Sequence, residues 1–159
     1  MQEKTKAYIA GFLDGDGCVM FQLVKRKGYI FGFQIRASVV FYQKAGNENF
    51  MNWLKHKLRD GYIRQRNDHI LEYTIVGHRP AMRVLSLVAP YVFLKRKQVK
   101  LGLQLLKQLV EKRERYTSQE FLKLCKQVDK ISEFNYTKKK IHNFQEVKRY
   151  LSDKELLSP

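Results

Sequence analysis

At 159 residues the chain has the length of one domain with its own core. It is 44% hydrophobic, which excludes a disordered basic tail, and its 31 Lys and Arg against 15 Asp and Glu leave a net charge of +16 that suits a polyanionic partner. Two lone cysteines, Cys18 and Cys125, argue against a disulfide scaffold, a cysteine metal site or a thiol enzyme; the polar first seven residues lack a secretion signal, and no lipidation signal or basic amphipathic helix marks a membrane surface.

Residues 8–17, Tyr-Ile-Ala-Gly-Phe-Leu-Asp-Gly-Asp-Gly, read as a short helix over Tyr8–Leu13 that stops at a Gly-Asp-Gly corner, with a strand from Cys18. Gly11 and Gly15 share one helix face, beside Ala10. A face without side chains admits another backbone, so the spacing predicts helix-on-helix contact. Gly17 suits the residue just past a helix end, where positive φ costs glycine little. Asp14 and Asp16 then stand where two such helices would end together, and their hard oxygens favour Mg²⁺ or Ca²⁺. An EF-hand fails as an alternative, because Cys18, Val19 and Lys25 occupy its remaining positions. A plain turn with two solvated aspartates is the structural alternative.

From Val19 to Phe41 the sequence alternates around a turn at Gly28, with one apolar face and one mixed polar and basic face. The mixed face carries Gln22, Arg26, Gln34, Arg36 and Ser38. A helix follows over Asn47–Leu58, ending before Gly61. A second hairpin pairs Tyr62–Arg66 with His69–Ile75 around a two-residue Asn67–Asp68 turn. Arg64 and Arg66 share one of its faces, and Glu72 and Thr74 lie opposite the apolar Leu71, Tyr73 and Ile75. The remainder reads as helical. Pro80 fits a first turn, Met82–Val88 supply an apolar stripe, Pro90 interrupts, and Val99–Val110 form another helix. Thr117 and Glu120 make a capping box for a helix carrying Phe121, Leu124, Cys125, Val128 and Ile131. Lys138, Lys139 and Lys140 precede a last helix near Phe144–Leu151. The four histidines show no paired spacing, which disfavours a histidine-metal nuclease.

The decapeptide resembles the signature of the LAGLIDADG homing endonucleases, both in residue order and in its helix-then-strand setting. The element order is similar to that family's αββαββα core, which implies an α+β fold with an antiparallel DNA-binding sheet and extra C-terminal helices. One endonuclease domain is expected over residues 1–159, with its core at about 7–110 and the C-terminal helices at about 117–159. A single signature resembles the homodimeric branch. That implies a C2 dimer with Ala10, Gly11 and Asp14 at the interface and two Asp16 side chains side by side. The resemblance makes Asp16 and the Gly15 carbonyl the metal ligands and leaves Asp14 as a structural helix-end residue. It marks Gln43 as a catalytic water-positioning residue and Lys95 as the catalytic lysine that stabilises charge at the cut phosphate. Asn47 stands where some relatives carry arginine, so an altered solvent network is expected.

Reading of DNA would use the sheet. A strand of about nine residues at ~3.3 Å each spans ~30 Å, or roughly nine base pairs at ~3.4 Å per step. Two subunits would read about eighteen to twenty pairs. Gln22, Arg26, Gln34, Arg36, Ser38, Arg64, Arg66, Glu72 and Thr74 would face the major groove, where Arg suits guanine, Gln adenine and Glu cytosine. Lys138, Lys139 and Lys140 would clamp phosphates outside it. The expected activity is a Mg²⁺-dependent, site-specific DNA endonuclease, with Ca²⁺ as a non-catalytic substitute. It would make staggered double-strand breaks that promote intron homing, as an intracellular protein in an organelle or an archaeal cytoplasm. An RNA-splicing maturase or a non-cleaving DNA-binding regulator of the same fold is the alternative.

Overall fold

The computed structural model describes residues 1–112, 114–135 and 141–157; the expectation for Lys138, Lys139 and Lys140 lies outside them. The first helix, α1 (Glu3–Asp16), is longer at both ends than the decapeptide implies. Upstream, Glu3-Lys-Thr-Lys-Ala contains no breaker, and Lys6 pairs with Glu3 one turn earlier at 2.7 Å. Downstream, the helix runs through Gly15 and Asp16 before Gly17 opens a strand. Gly17 does not have the expected positive φ. Its backbone is extended (φ −117°), and it is glycine for a steric reason, since a Cβ there would lie 2.8 Å from both the Cα and the carbonyl oxygen of Leu13.

Strands β1 (Gly17–Lys25), β2 (Phe33–Lys44), β3 (Tyr62–Gln65) and β4 (Ile70–Val76) form one antiparallel sheet in the order β1-β2-β4-β3. The first hairpin has the expected parity, and Val19 pairs with Val39, Phe21 with Ala37 and Leu23 with Ile35, all buried. In β4, Leu71, Tyr73 and Ile75 are buried on the same side. The second hairpin turns differently from expectation. Arg66 N–H donates to Ile70 and His69 N–H to Arg66, so Asn67, Asp68 and His69 form the loop and His69 (φ 59°) takes the left-handed position.

Helices α2 (Glu48–Leu58) and α3 (His78–Val88) complete the αββαββα order, and α4 (Arg96–Glu111), α5 (Ser118–Ser132) and α6 (Phe144–Asp153) follow. The helices bury Ile9, Leu13, Leu54, Val84 and Leu85 against the apolar sheet face. Each such side chain contributes ~1.5–3 kcal/mol of transfer free energy. Gly102 lets α4 close on β1, because a Cβ there would meet the Phe21 ring at 2.9 Å. Helix α5 starts with the expected capping box: Glu120 N–H donates to the Thr117 hydroxyl, and Thr117 N–H to the Glu120 carboxylate. It packs on β1, with α6 against it. On the opposite, largely polar sheet face Gln22, Gln34 and Arg36 stay partly exposed.

Candidate active site and nucleic-acid interface

The corner at the end of α1 uses its two aspartates differently. The Asp14 carboxylate accepts three backbone N–H bonds, from Phe93 (2.6 Å), Leu94 (3.1 Å) and Lys95 (2.9 Å), immediately before α4. It thereby caps a helix whose own N-cap side chain makes no capping bond. The Lys95 ammonium donates back to the Asp14 carbonyl at 2.6 Å, placing positive charge where the α1 dipole ends. The Asp14 carboxylate is therefore committed within its own chain. It acts as a helix-end group that ties α1 to the start of α4. Asp16 is exposed, and its carboxylate has no partner among the described residues.

A cleft beneath this corner brings Asp16 and Gly15 together with Lys95, Tyr42, Gln98 and Asn135. Lys95 is buried apart from this opening, at 7% exposure. Gln98, in the first turn of α4, is also buried and donates from Nε2 to Asn135 Oδ1 at 2.7 Å. Cys18 lines the same cleft, and its Sγ donates to that oxygen at 3.6 Å. Burial pushes the Cys18 thiol up, with Lys95 opposing in part, so the S–H is retained. Burial also raises the Tyr42 phenol, and the neighbouring Cys18 and Glu72 add to this. Gln43 is not among the residues lining the cleft. It pairs with the buried Leu71 and turns its amide oxygen onto the Lys44 N–H at 2.9 Å.

Tyr42, Cys18, Gln98 and Asn135 were not singled out from sequence. Strand parity places Cys18 and Tyr42 on the open face and was available in advance. Gln98 comes from α4 and Asn135 from the turn that follows α5, and no spacing announces them.

The donors at the corner fit a hard divalent ion. Asp16 offers free carboxylate oxygens, and the Gly15 carbonyl lies in the last helical turn, where intrahelical donors have run out. Among the described residues no three His, Cys, Asp or Glu side chains gather to hold a metal. One chain thus supplies part of a coordination shell.

Ala7, Tyr8, Gly11 and Gly15 form an exposed stripe along α1. A Cβ at Gly11 or Gly15 would meet nothing within 4 Å. Ala10 does not belong to this stripe. It is fully buried in the core of its own chain, 100° round the helix from Gly11, and its expected interface role is corrected. Tyr8 packs edge-on against Phe50 and Trp53, and Phe93 and Leu94, 77% and 70% exposed, extend the apolar band beside Asp14.

On the open sheet face, Gln22 lies opposite Arg36, and Tyr42, Glu72 and Arg64 form a row across three strands. Ser38 and Thr74 also lie on this face but are almost covered. Glu72 already accepts several bonds within its own chain. Its carboxylate takes Arg64 Nε at 2.9 Å, Arg64 Nη2 at 3.2 Å and the Thr74 hydroxyl at 3.0 Å. Burial opposes its charge, but the Arg64 and Thr74 hydrogen bonds prevail and hold the carboxyl below the usual range. Arg66, just past β3, pairs with Asp68 at 2.9 Å, and Arg26 reaches Gln34 at 3.4 Å. Arg36 Nε is buried and has no hydrogen-bond partner among the described residues.

The family model described as LAGLIDADG endonuclease matches residues 9–103. The chain is 37% identical over 103 residues to the DNA endonuclease I-CvuI of Chlorella vulgaris, a match covering 65% of this chain and 64% of that relative. It is 30% identical over 155 residues to the DNA endonuclease I-CreI of Chlamydomonas reinhardtii, covering 96% and 93%. The solved structure of I-CvuI with the I-CreI target in the presence of Mg superposes with a TM-score of 0.87 at 30% identity, over 97% of this chain and 95% of that one. I-CvuI has also been crystallised with its own target in the presence of Ca, with a TM-score of 0.87 at 30% identity, over 96% and 94%. The archaeal intron-encoded homing endonuclease I-Vdi141I, complexed with DNA, shares the fold at 15% identity, with a TM-score of 0.84 over 98% and 99%.

Proposed function

Since the chain belongs to the LAGLIDADG endonuclease family, we propose that it is a homing endonuclease. It cuts both strands of a long, near-palindromic DNA site, with a stagger, as a Mg²⁺-dependent homodimer. The observation that carries the reading is the unpaired Asp16 carboxylate at the end of a helix whose Gly11 face is bare. A duplex has two backbones related by local two-fold axes, so one such corner serves one strand. Packing two α1 stripes about a C2 axis would set two Asp16 side chains side by side.

When bound by Asp16 and the Gly15 carbonyl, a divalent ion would supply an activated water and steady the leaving oxygen; Mg²⁺ fits this hard-oxygen pair and Ca²⁺ would bind without supporting turnover. The chain's own residues do the rest. Asp14 fixes the approach of α4 to α1, which holds Lys95 at the corner. The Lys95 ammonium lines the cleft and offsets charge developing on the cut phosphate. Gln43 would order solvent at the edge of the site after releasing the Lys44 N–H.

The open sheet face reads the groove through Gln22, Arg26, Gln34, Arg36, Arg64 and Arg66, with Ser38, Glu72 and Thr74 supporting from beneath. Lys138, Lys139 and Lys140 clamp phosphates. The protein acts on nucleic acid inside the cell, and an organelle with the target in its genome is the compartment we propose.

Cleavage selection on a randomised palindrome library with Mg²⁺ tests the reading. Recovery of one symmetric family of cut sites of about twenty pairs supports it; a protein that binds duplex DNA but cuts no member of the library overturns it.

A further inference from the structure

The cleft contains an amide whose orientation is fixed from its oxygen side. Asn135 Oδ1 accepts from Gln98 Nε2 at 2.7 Å and from the Cys18 thiol at 3.6 Å. In this arrangement both neighbours donate, so the side-chain oxygen faces them and the Nδ2 group faces away. Among the described residues Nδ2 has no hydrogen-bond partner. Asn135 lines the cleft that Asp16 and Lys95 also line, where Asp16 is the only carboxylate among the described residues. Gln98 is 5% exposed and sits on the rigid first turn of α4, beside the Lys95 that Asp14 fixes in place. An aimed N–H₂ on a supported side chain is the arrangement that binds an oxyanion or an attacking water without reorganising.

We infer that Asn135 is a catalytic residue, its Nδ2 donating to a non-bridging oxygen of the scissile phosphate or to the attacking water. Gln98 and Cys18 are the positioning residues that set its amide. The inference deepens the endonuclease reading and rests on it. Gln98 alone could be a buried packing amide, but a packing role does not require its partner to keep a donor unspent beside the free carboxylate.

The test compares turnover with binding on one cleavable duplex. Binding is measured with Ca²⁺, cutting with Mg²⁺, and folding by melting temperature. Asn135→Ala should lower single-turnover cutting by about 100-fold while target affinity stays within about two-fold. Asn135→Asp should cut no faster than Asn135→Ala, since it replaces the donor with an acceptor. Gln98→Leu should lower cutting by roughly ten-fold, and combined with Asn135→Ala it should add nothing further. Cys18→Ser, which keeps a donor, should cut near the wild-type rate, and Cys18→Val should cut more slowly. Wild-type turnover in Asn135→Ala, or a loss matched by equal loss of binding, overturns the inference. Additive losses in the double variant overturn the positioning role of Gln98. If the wild-type protein cuts no target, the endonuclease reading fails first, and the two failures are told apart.

Discussion

The corner at the end of α1 and the open face of the sheet handle their charges in opposite ways. At the corner one aspartate is fully used inside the chain so that the other can be left free. Asp14 takes three backbone N–H groups, and Asp16, two residues on, takes none among the described residues. On the sheet the charges satisfy one another in advance. Glu72 holds Arg64 through two bonds and Asp68 holds Arg66, while Arg36 Nε is a buried donor with no partner among the described residues. A metal-binding carboxylate meets its ion at least cost when no bond must first be broken, because any such cost adds to the barrier. A reading face gains from the opposite arrangement. Paired charges hold the arginines extended, and a wrong base leaves them where they are, whereas the right acceptor compensates for the exchange.

Substitutions at each region should break this contrast in different measurements. The largest effect is expected from Asp16→Asn, which should lower Mg²⁺-supported cutting by at least about 100–1,000-fold with target binding in Ca²⁺ unchanged; wild-type turnover would remove Asp16 from the site. Next is Gly11→Val. Nothing lies within 4 Å of a Cβ there, so the isolated chain should fold as before, valine being slightly the better helix former. Sedimentation should nevertheless show monomers, and an unaltered dimer would move the interface off α1.

On the sheet, Arg66→Ala should relax preference at one symmetric pair of positions, costing about 1–3 kcal/mol if the guanidinium meets guanine, without lowering the melting temperature. Arg64→Ala should do both, since it also strips Glu72 of its partner; equal melting temperatures for the two variants would show that the Glu72 pairing contributes nothing to the fold. Asp14→Ala should cost about 1–2 kcal/mol of stability, because three N–H groups lose their acceptor, and urea unfolding reads it directly.

The smallest effect lies away from both regions. The Lys112 ammonium, followed by the Thr117 N–H, holds the Glu120 carboxyl down at about 2. A carboxylate depressed in the folded state adds stability above its unfolded pKa, and that stability is lost as pH falls through the usual carboxylate range toward 2. Glu120→Gln should therefore flatten the acid limb of the stability profile slightly and change nothing at the cleft. A variant with an unchanged acid limb would show that the capping pair is not linked to folding.

The amino-acid sequence determined whatever depends on neighbours along the chain. Alternation over Val19–Phe41 set which hairpin face is buried, because side-chain period and pleat are the same period. Thr117 and Glu120 announced their capping box three residues apart, as its geometry requires. The decapeptide placed Gly11 on an open face and Asp16 at a helix end, since both are matters of one helix's own pitch. What the chain could not declare was how distant segments use the same groups. Ala10 is adjacent to Gly11 in sequence yet faces the core, because 100° of rotation per residue carries it to the side that packs on the sheet. Gly17 needs no left-handed turn, and only the fold of α1 onto β1 showed the Leu13 backbone in the way of a Cβ. Glu72 reads as a base contact until β3 lies beside β4 and supplies Arg64 across the ladder. Asn135 meets Cys18 at a separation of 117 residues. Only tertiary packing brings donors from β1 and α4 to one oxygen, and in doing so decides which side of that amide faces the cleft.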